Sequence, residues 1–152
     1  MLKLKRSVLL LSVISSFFAN NAFAGKCDVN VEATASMAYT VKEIAVPKSC
    51  KEIALNFKVA GTLPKAVMGH NVVITKTADM AAVTEDGGKA GLAADYIKSK
   101  DARVIAYTKV IGGGESTSIK FKTTGFKATE AYSFFCSFPG HGMVMKGVFK
   151  LV

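Results

Sequence analysis

Residues 52–59 read EIALNFKV, and every second side chain from Ile53 to Val59 is apolar. A period of two is typical of a β-strand that buries one face and exposes the other. β-branched and aromatic residues, which favour strands, supply much of the apolar set. This segment therefore predicts a half-buried strand, and its pattern decides the fold class because it recurs along the chain.

The same kind of pattern appears on both sides of this segment. Seven further strand-like runs occur, at residues 27–32, 37–46, 71–76, 103–111, 118–122, 131–137 and 145–152. Clusters of Gly and Pro separate several of them, at 60–64, 112–114 and 138–140. About eight short strands with turns at such intervals predict an all-β protein, a β-sandwich of Greek-key type.

One segment, from Thr77 to Lys100, departs from the strand pattern and is rich in Ala and Lys. Thr77 or Asp79 is a plausible N-cap for a helix that begins near Met80. The pair Gly87-Gly88 is expected to break this helix, and a second helical turn is expected further on. We therefore expect a short helical insertion packed against the sandwich.

The composition is that of one globular domain. The chain has 152 residues, of which 50% are hydrophobic and 20% charged, and its formal net charge is +9. These values exclude wholesale disorder. Three Cys are too few for a miniprotein built on disulfides or for a four-cysteine zinc or iron–sulfur site. Only two His are present, so a polyhistidine metal site is also excluded.

Residues 1–24 have the features of a secretory signal peptide. Three basic residues precede a twelve-residue apolar run, Ser7–Phe18, and Ala22-Phe23-Ala24 provides a small-x-small cleavage site. A membrane anchor is the alternative, but the apolar run is short for a bilayer span. We therefore predict cleavage after Ala24 and an exported, periplasmic protein with one domain, residues 25–152, and no membrane span.

Cleavage would remove three basic residues and no acidic one, leaving 128 residues with a net charge of +6. The lysines are scattered rather than gathered into a run, and no nucleic-acid-binding motif is present. We therefore expect no nucleic-acid partner, and the charge indicates a solvated surface with weak attraction for acidic partners.

Three cysteines allow one disulfide and leave one thiol. Cys27 opens the first predicted strand and Cys50 precedes another; joining them would close a loop of about two dozen residues. Such a loop stabilises a fold by roughly 3 kcal/mol in the chain-entropy description. Cys136 lies between Phe135 and a Phe-Pro-Gly turn. A spare thiol in an exported protein is a liability unless it is buried or occupied.

The segment 136–145, CSFPGHGMVM, holds thiolate, imidazole and thioether donors within ten residues. Its Pro-Gly pair indicates a tight loop that returns His141 and Met145 toward Cys136. The second histidine, His70, opens a distant strand-like run. Because a sandwich brings distant strand ends together, both histidines and the spare thiol can share one site.

Two imidazoles, one thiolate and a weak thioether form the donor set of a blue-copper electron-transfer centre. Zinc prefers a fourth strong N, S or O donor and gains little from a thioether. Thiolate and thioether suit Cu(I), whereas imidazole supports Cu(II). A rigid sandwich that holds one compromise geometry would therefore change little on electron transfer.

These residues resemble those of the azurins, a family of bacterial blue-copper proteins, or cupredoxins. The loop Cys136-x₄-His141-x₃-Met145, with the upstream segment 68–71, carries the likeness. The likeness covers essentially the whole mature chain, and its other matching positions, in order, are Cys27, 48–51, 62–65, 103–106 and 134–136.

The resemblance implies a cupredoxin-like fold and one type 1 copper per chain. The equatorial ligands would be His70, Cys136 and His141, with the sulfur of Met145 as axial ligand and the carbonyl of Gly69 as a weak contact. It also implies a disulfide between Cys27 and Cys50. Asn71 and Phe138 would shape the surroundings of the copper, and backbone N–H donation to the Cys136 sulfur would help set the reduction potential.

The resemblance further implies a carrier of electrons rather than an enzyme. Electrons would pass through His141, the ligand nearest the surface, within an apolar docking patch for redox proteins. The candidate patch residues are Met37, Leu63, Met68, Phe138, Pro139, Met143 and Val144. The family suggests as partners a c-type cytochrome, a nitrite reductase or an aromatic-amine-oxidising enzyme.

Three other functions compete with this interpretation. A copper chaperone or storage protein would favour an open, Met-rich or paired-Cys site that exchanges metal. A copper enzyme would need an open coordination position or a second copper centre. A structural zinc module is the third, and an intense thiolate-to-copper absorption band would exclude it.

Overall fold

The computed structural model describes residues 27–152, so the predicted signal peptide, residues 1–24, lies outside the described part of the chain. Within this described part, eight strands form two sheets, as the sequence predicts. The strands are β1 (Asp28–Ala33), β2 (Glu43–Val46), β3 (Glu52–Val59), β4 (Val73–Lys76), β5 (Val104–Tyr107), β6 (Ser116–Lys122), β7 (Tyr132–Phe135) and β8 (Lys146–Leu151).

The first sheet has the order β1-β3-β6 and the second the order β2-β8-β7-β4-β5. β1 pairs with β3, and β2 pairs with β8, in parallel, while the remaining pairs are antiparallel. Strands that are neighbours in sequence therefore often lie in different sheets, as in a Greek-key sandwich. The predicted fold class is confirmed.

The predicted burial of one face of β3 is confirmed. Ile53, Leu55, Phe57 and Val59 are at most 2% exposed, while alternate residues face outward. Their side chains meet those of the second sheet in one core cluster that includes Phe134. Burial of these side chains is the main favourable contribution to stability, at about 1.5–3 kcal/mol for each large one.

Cys27 and Cys50 form the disulfide, with a Cα–Cα distance of 5.6 Å. Because β1 and β3 run parallel, the residues that precede each strand lie side by side, at the end of the sheet where both strands begin. Cys136 is a free and buried cysteine. The pairing that the resemblance implied is thus confirmed.

The helical insertion is present but is not broken where expected. Helix α1 is a single turn, Lys65–Met68, and helix α2 spans Met80–Ala90, continuing through Gly87 and Gly88. A Cβ at Gly87 would overlap the carbonyl oxygen of Tyr96, whereas a Cβ at Gly88 would meet nothing within 4 Å. The first glycine therefore permits close packing of α2 on the chain that follows it, which sequence alone could not distinguish from a helix break.

Ion pairs hold the insertion against the second sheet. The guanidinium of Arg103, which directly precedes β5, donates to Asp86 of α2 at 2.6 Å and to Asp101 at 2.5 Å. Hydrogen bonds from Arg103 lower the pKa of Asp101 to about 2.

Asp79 occupies the N-cap position of α2, but its side chain makes no capping hydrogen bond. Among residues 27–152, no helix is both long and apolar enough to cross a membrane.

Candidate metal centre

The strand pairing places both predicted ligand segments at the same end of the second sheet. β4 and β7 are antiparallel, with Val73 opposite Phe135, so the chain enters β4 where it leaves β7. His70 precedes β4 and exchanges two backbone hydrogen bonds of 3.0 Å with Ile111. Cys136 directly follows β7. His70 and Cys136, which are 66 positions apart in the sequence, are thereby brought to the same end of the sheet.

The loop from Cys136 to Met145 is closed at its base by a backbone hydrogen bond. The N–H of Cys136 donates to the carbonyl of Met145 at 3.0 Å, and the N–H of Met145 donates to the carbonyl of His141 at 2.8 Å. Gly140 turns the chain with a φ of +81°, which glycine adopts without strain. The tight loop that Pro-Gly predicted is therefore present, and it returns His141 to the thiol.

The two histidines and the free cysteine meet in the interior. His70 Nδ1 lies 3.9 Å from Cys136 Sγ, His141 Nδ1 lies 3.7 Å from the same sulfur, and the two nitrogens are 3.2 Å apart. The exposed fractions are 0% for His70, 0% for Cys136 and 5% for His141. Within residues 27–152, these three residues form a group whose donor atoms could hold a metal ion.

These separations suit one first-row metal ion. Bonds of zinc, an ion of similar size to copper, are about 2.0–2.1 Å to imidazole nitrogen and about 2.3 Å to thiolate. At trigonal to tetrahedral angles such bonds place the donor atoms roughly 3.3–3.8 Å from one another. The observed range of 3.2–3.9 Å agrees closely with this expectation. The donor set therefore fits copper in size as well as in chemistry.

Burial keeps both imidazoles neutral. It lowers the pKa of His70 to about 4, with a smaller contribution from the neighbouring His141, and it also lowers the pKa of His141. His70 Nε2 has no hydrogen-bond partner among residues 27–152, so no hydrogen bond at that nitrogen offsets the cost of charging this ring. At neutral pH both Nδ1 atoms can therefore offer lone pairs.

The thiol of Cys136 is protonated when no metal is bound, because burial raises its pKa to about 11. Two backbone N–H groups, those of Asn71 and Phe138, donate to the sulfur and oppose this effect. The family resemblance placed Asn71 and Phe138 around the copper and implied backbone N–H donation to this sulfur, without saying which N–H groups donate. They would stabilise negative charge on the sulfur once a metal replaces the proton.

Asn71 and Ser137 fasten the two ligand segments together. The N–H of Ser137 donates to Asn71 Oδ1 at 2.9 Å, and Asn71 Nδ2 donates to Ser137 Oγ at 2.8 Å. Asn71 Nδ2 also donates to the carbonyl of Asp95, near the end of the insertion. The sequence pattern does not single out Ser137 or Asp95; the position of Ser137 next to the cysteine is the available signal.

The other two predicted contributors also lie at this end of the fold. Met145 is fully buried in the main core cluster. Gly69 precedes His70, and a Cβ there would overlap the Lys65 carbonyl oxygen and the side chain of Val110. Glycine is thus required by packing at position 69, beside the first histidine.

The loop that carries His141 exposes apolar side chains. Met143 is 78% exposed and Val144 56% exposed, and both belong to the same loop as His141. Leu63, Val67 and Met37 are further exposed apolar side chains.

The helical insertion reaches the site. The ring of Tyr96 packs edge-on against Phe138 with a centroid distance of 5.2 Å, and Phe138 packs against the imidazole of His141 at 4.5 Å. Thr84 of α2 faces Gly142. The insertion therefore supports one side of the loop that carries His141.

Comparison with known proteins identifies the family. A profile described as "Copper binding proteins, plastocyanin/azurin family" matches residues 25–152. The chain belongs to this family. The azurin of Alcaligenes faecalis is 54% identical over 125 residues, 82% of this chain and 98% of the relative. The azurin of Bordetella pertussis is 52% identical over 135 residues, 89% of this chain and 90% of the relative.

The fold of this chain also agrees with that of a solved relative. A solved azurin, Az-iso2 from the obligate methylotroph Methylomonas sp. strain J, superposes with a TM-score of 0.80 at 44% identity. The match covers 83% of this chain and 98% of the azurin. As a member of the plastocyanin/azurin family with this donor set, the chain is a blue-copper electron-transfer protein, and copper is its metal. The enclosed site and the azurin relatives do not favour a chaperone or storage role.

Proposed function

We propose that this protein carries single electrons between redox proteins of the periplasm. His70, Cys136 and His141 would be the equatorial ligands of one type 1 copper, Met145 the axial ligand, and the carbonyl of Gly69 a weak contact. The observation that carries the proposal is the convergence of two Nδ1 atoms and one thiol sulfur, 3.2–3.9 Å apart, in the interior.

Bound copper supplies the one-electron couple Cu(II)/Cu(I). The chain holds its donor atoms in place through the loop closed at Met145 and through the bonds between Asn71 and Ser137. Burial of His70 and Cys136 excludes water from the coordination positions. With those positions filled by side chains, a substrate would have no place to bind, and we propose that the protein is a carrier and not an enzyme.

We propose that residues 1–24 are removed on export and that residues 25–152 form the working domain. The basic start, short apolar run and Ala22-Phe23-Ala24 support cleavage after Ala24. The family profile begins at residue 25. The Cys27–Cys50 disulfide suits an oxidising compartment such as the periplasm. The mass of the protein isolated from the periplasm would test this, since retention of residues 1–24 contradicts it.

We propose that redox partners, such as a c-type cytochrome or a nitrite reductase, dock on the apolar surface above His141. Met143 and Val144 are the most exposed apolar side chains of its loop. His141 is the more exposed of the two histidines, so it offers the shorter route to a docked partner. A small interface, of the size found in weak electron-transfer encounters, suits a carrier, which must release its partner after each transfer.

An optical and EPR spectrum after Cu(II) addition tests the ligand assignment. We expect an intense thiolate-to-copper band and reversible one-electron cycling in the wild-type protein. The variant Cys136→Ser should lose this band while it keeps the disulfide and its far-ultraviolet circular dichroism. A Cys136→Ser protein that remains blue would contradict the assignment. Rapid exchange of copper without reversible cycling would instead favour the chaperone or storage role.

A further inference from the structure

Tyr39 is a buried tyrosine of the connection between β1 and β2, outside the proposed ligand set. A turn closed by the hydrogen bond from Thr34 N–H to the Ala38 carbonyl, at 2.8 Å, directs the chain back toward the core. Tyr39 is 3% exposed, and its ring packs against Phe134 and Phe57 at centroid distances of 5.2 and 6.3 Å. A phenylalanine would make the same ring contacts, so the hydroxyl requires a separate explanation.

The hydroxyl of Tyr39 donates a hydrogen bond of 2.5 Å to the backbone carbonyl of Asn71. Asn71 is fully buried. Among residues 27–152, the Tyr39 hydroxyl is the donor that this carbonyl finds. A buried carbonyl that loses its donor is left unpaired at a cost in free energy, which favours a shift of the segment if the hydroxyl is removed.

Asn71 is also the residue whose N–H donates to the sulfur of Cys136. Its side chain is fixed by Ser137, and the next residue is fixed by the hydrogen bond from Val72 N–H to Thr108 Oγ1 at 3.0 Å. The Tyr39 hydroxyl holds the remaining polar group of Asn71, its carbonyl. Asn71 is thus held at its side chain by Ser137, at its carbonyl by Tyr39 and through the neighbouring Val72. These contacts together fix the direction in which the Asn71 N–H points toward the sulfur.

We propose that Tyr39 is a positioning residue for electron transfer, which acts through Asn71 on the hydrogen bond to the Cys136 sulfur. This inference rests on the proposed function, because it takes Cys136 as the copper ligand. Hydrogen bonds to the ligand sulfur of a blue-copper site tune its reduction potential. An N–H donor stabilises negative charge on the sulfur and so favours Cu(I); loosening it lowers the potential.

The variant Tyr39→Phe tests the proposal, and Tyr132→Phe is its matched control. Tyr132 is also buried, at 5% exposure, and its hydroxyl also binds a backbone group, accepting from Lys127 N–H at 2.6 Å. It lies at the opposite end of β7 from Cys136. Both variants therefore remove one hydroxyl and one backbone hydrogen bond, but only one of these bonds is connected to the sulfur.

Three quantities distinguish the two variants. In Tyr39→Phe we expect a lower reduction potential, a thiolate-to-copper band at longer wavelength, and about tenfold faster hydrogen exchange of the Asn71 amide in the Cu(I) and the metal-free proteins. In Tyr132→Phe we expect a loss of unfolding free energy similar to that in Tyr39→Phe. Its reduction potential, thiolate-to-copper band and rate of Asn71 amide exchange should remain those of the wild type.

Two unnatural residues at position 39 keep the test decisive if Tyr39→Phe folds poorly. para-Fluorophenylalanine fills the space of the hydroxyl without donating, and para-aminophenylalanine retains a donor. The first should reproduce the Tyr39→Phe effects, and the second should restore wild-type values. Wild-type potential, band and exchange in the donor-free variants, or an equal change in Tyr132→Phe, would overturn the proposal. A wild-type protein without the band would instead count against the ligand assignment itself.

Discussion

Asn71 and Ser137 form two mutual hydrogen bonds across 66 residues of sequence, at 2.8 and 2.9 Å. Each is the residue directly after a proposed copper ligand. This pair therefore fixes the two ligand segments relative to each other through contacts that do not involve a metal. A donor geometry of this kind is largely preformed, which suits a site that changes little on electron transfer.

Asn71→Leu should lower the free energy of unfolding of the metal-free protein by about 2–4 kcal/mol, because it leaves the buried N–H of Ser137 without its acceptor and removes both hydrogen bonds that Asn71 Nδ2 donates. Ser137→Ala is the matched control, since it removes the Oγ contact but keeps the N–H donation to Asn71 Oδ1. Its cost should be only about 1 kcal/mol. Urea unfolding measures both, and equal costs would show that the backbone bond contributes little.

Met145→Leu should raise the reduction potential, because it removes a weak donor that stabilises the oxidised metal. Leucine is close to methionine in volume, so the fully buried position should remain packed. Met143→Leu is the matched control from the same loop, at a side chain that is 78% exposed. Voltammetry of the copper-loaded proteins measures the potential, and an equal shift in both variants would contradict the axial role of Met145.

Copper binding should release about one proton at pH 7. The pKa of His70 is about 4 and that of His141 is also lowered, so both rings are already neutral, whereas the Cys136 thiol, with a pKa near 11, is protonated. Apparent Cu(II) affinity should therefore rise about tenfold per pH unit near neutrality. Below about pH 4 a second proton, from His70, must also leave, and the dependence should steepen.

Calorimetry in buffers of different ionisation enthalpy counts the released protons. Cys136→Ser is the control, because a serine hydroxyl keeps its proton on metal binding at pH 7, and release should fall to near zero. Uptake of Cu(II) by the wild-type protein with no proton release would mean that Cys136 is already ionised. The conclusion that burial raises the pKa of the Cys136 thiol would then be wrong.

The adjacent glycines of α2 should respond in opposite ways to alanine. Gly88→Ala should stabilise the protein by about 0.5–1 kcal/mol, because the new methyl group enters open space within a helix. Gly87→Ala should destabilise it by about 1–3 kcal/mol, because the Cβ overlaps the Tyr96 carbonyl. Thermal unfolding of the two variants compares them directly. Stabilisation in both would show that α2 does not pack closely on Tyr96.

The strands were predictable because their signal is local. The alternation of Ile53, Leu55, Phe57 and Val59 is sufficient to assign β3 and its buried face. The convergence of His70 with Cys136 was predictable for a different reason, since a chain with two histidines and one spare thiol offers few ways to build a site from such donors. Because the chain has so few histidines and cysteines, the sequence alone limited which residues could form the metal site.

Contacts between distant backbone and side-chain atoms were not predictable in this way. The role of Gly87 depends on the Tyr96 carbonyl passing beside it, and that of the Tyr39 hydroxyl depends on the Asn71 carbonyl pointing toward it. Neither contact leaves a periodic or compositional trace in the sequence. Glycine in a helix and tyrosine in a core are each common for other reasons, so structure alone assigns these roles.

Met143→Lys should slow electron self-exchange by about tenfold or more without changing the reduction potential. Two molecules that meet through the surface above His141 would have to desolvate the new ammonium groups and bring like charges together. Val152→Lys adds the same net charge just after the far end of β8, at a side chain that is also exposed, at 55%. NMR line broadening in mixtures of the Cu(I) and Cu(II) proteins measures the rate. Equal slowing in both variants would assign the effect to net charge, and unchanged rates would place electron transfer elsewhere on the protein.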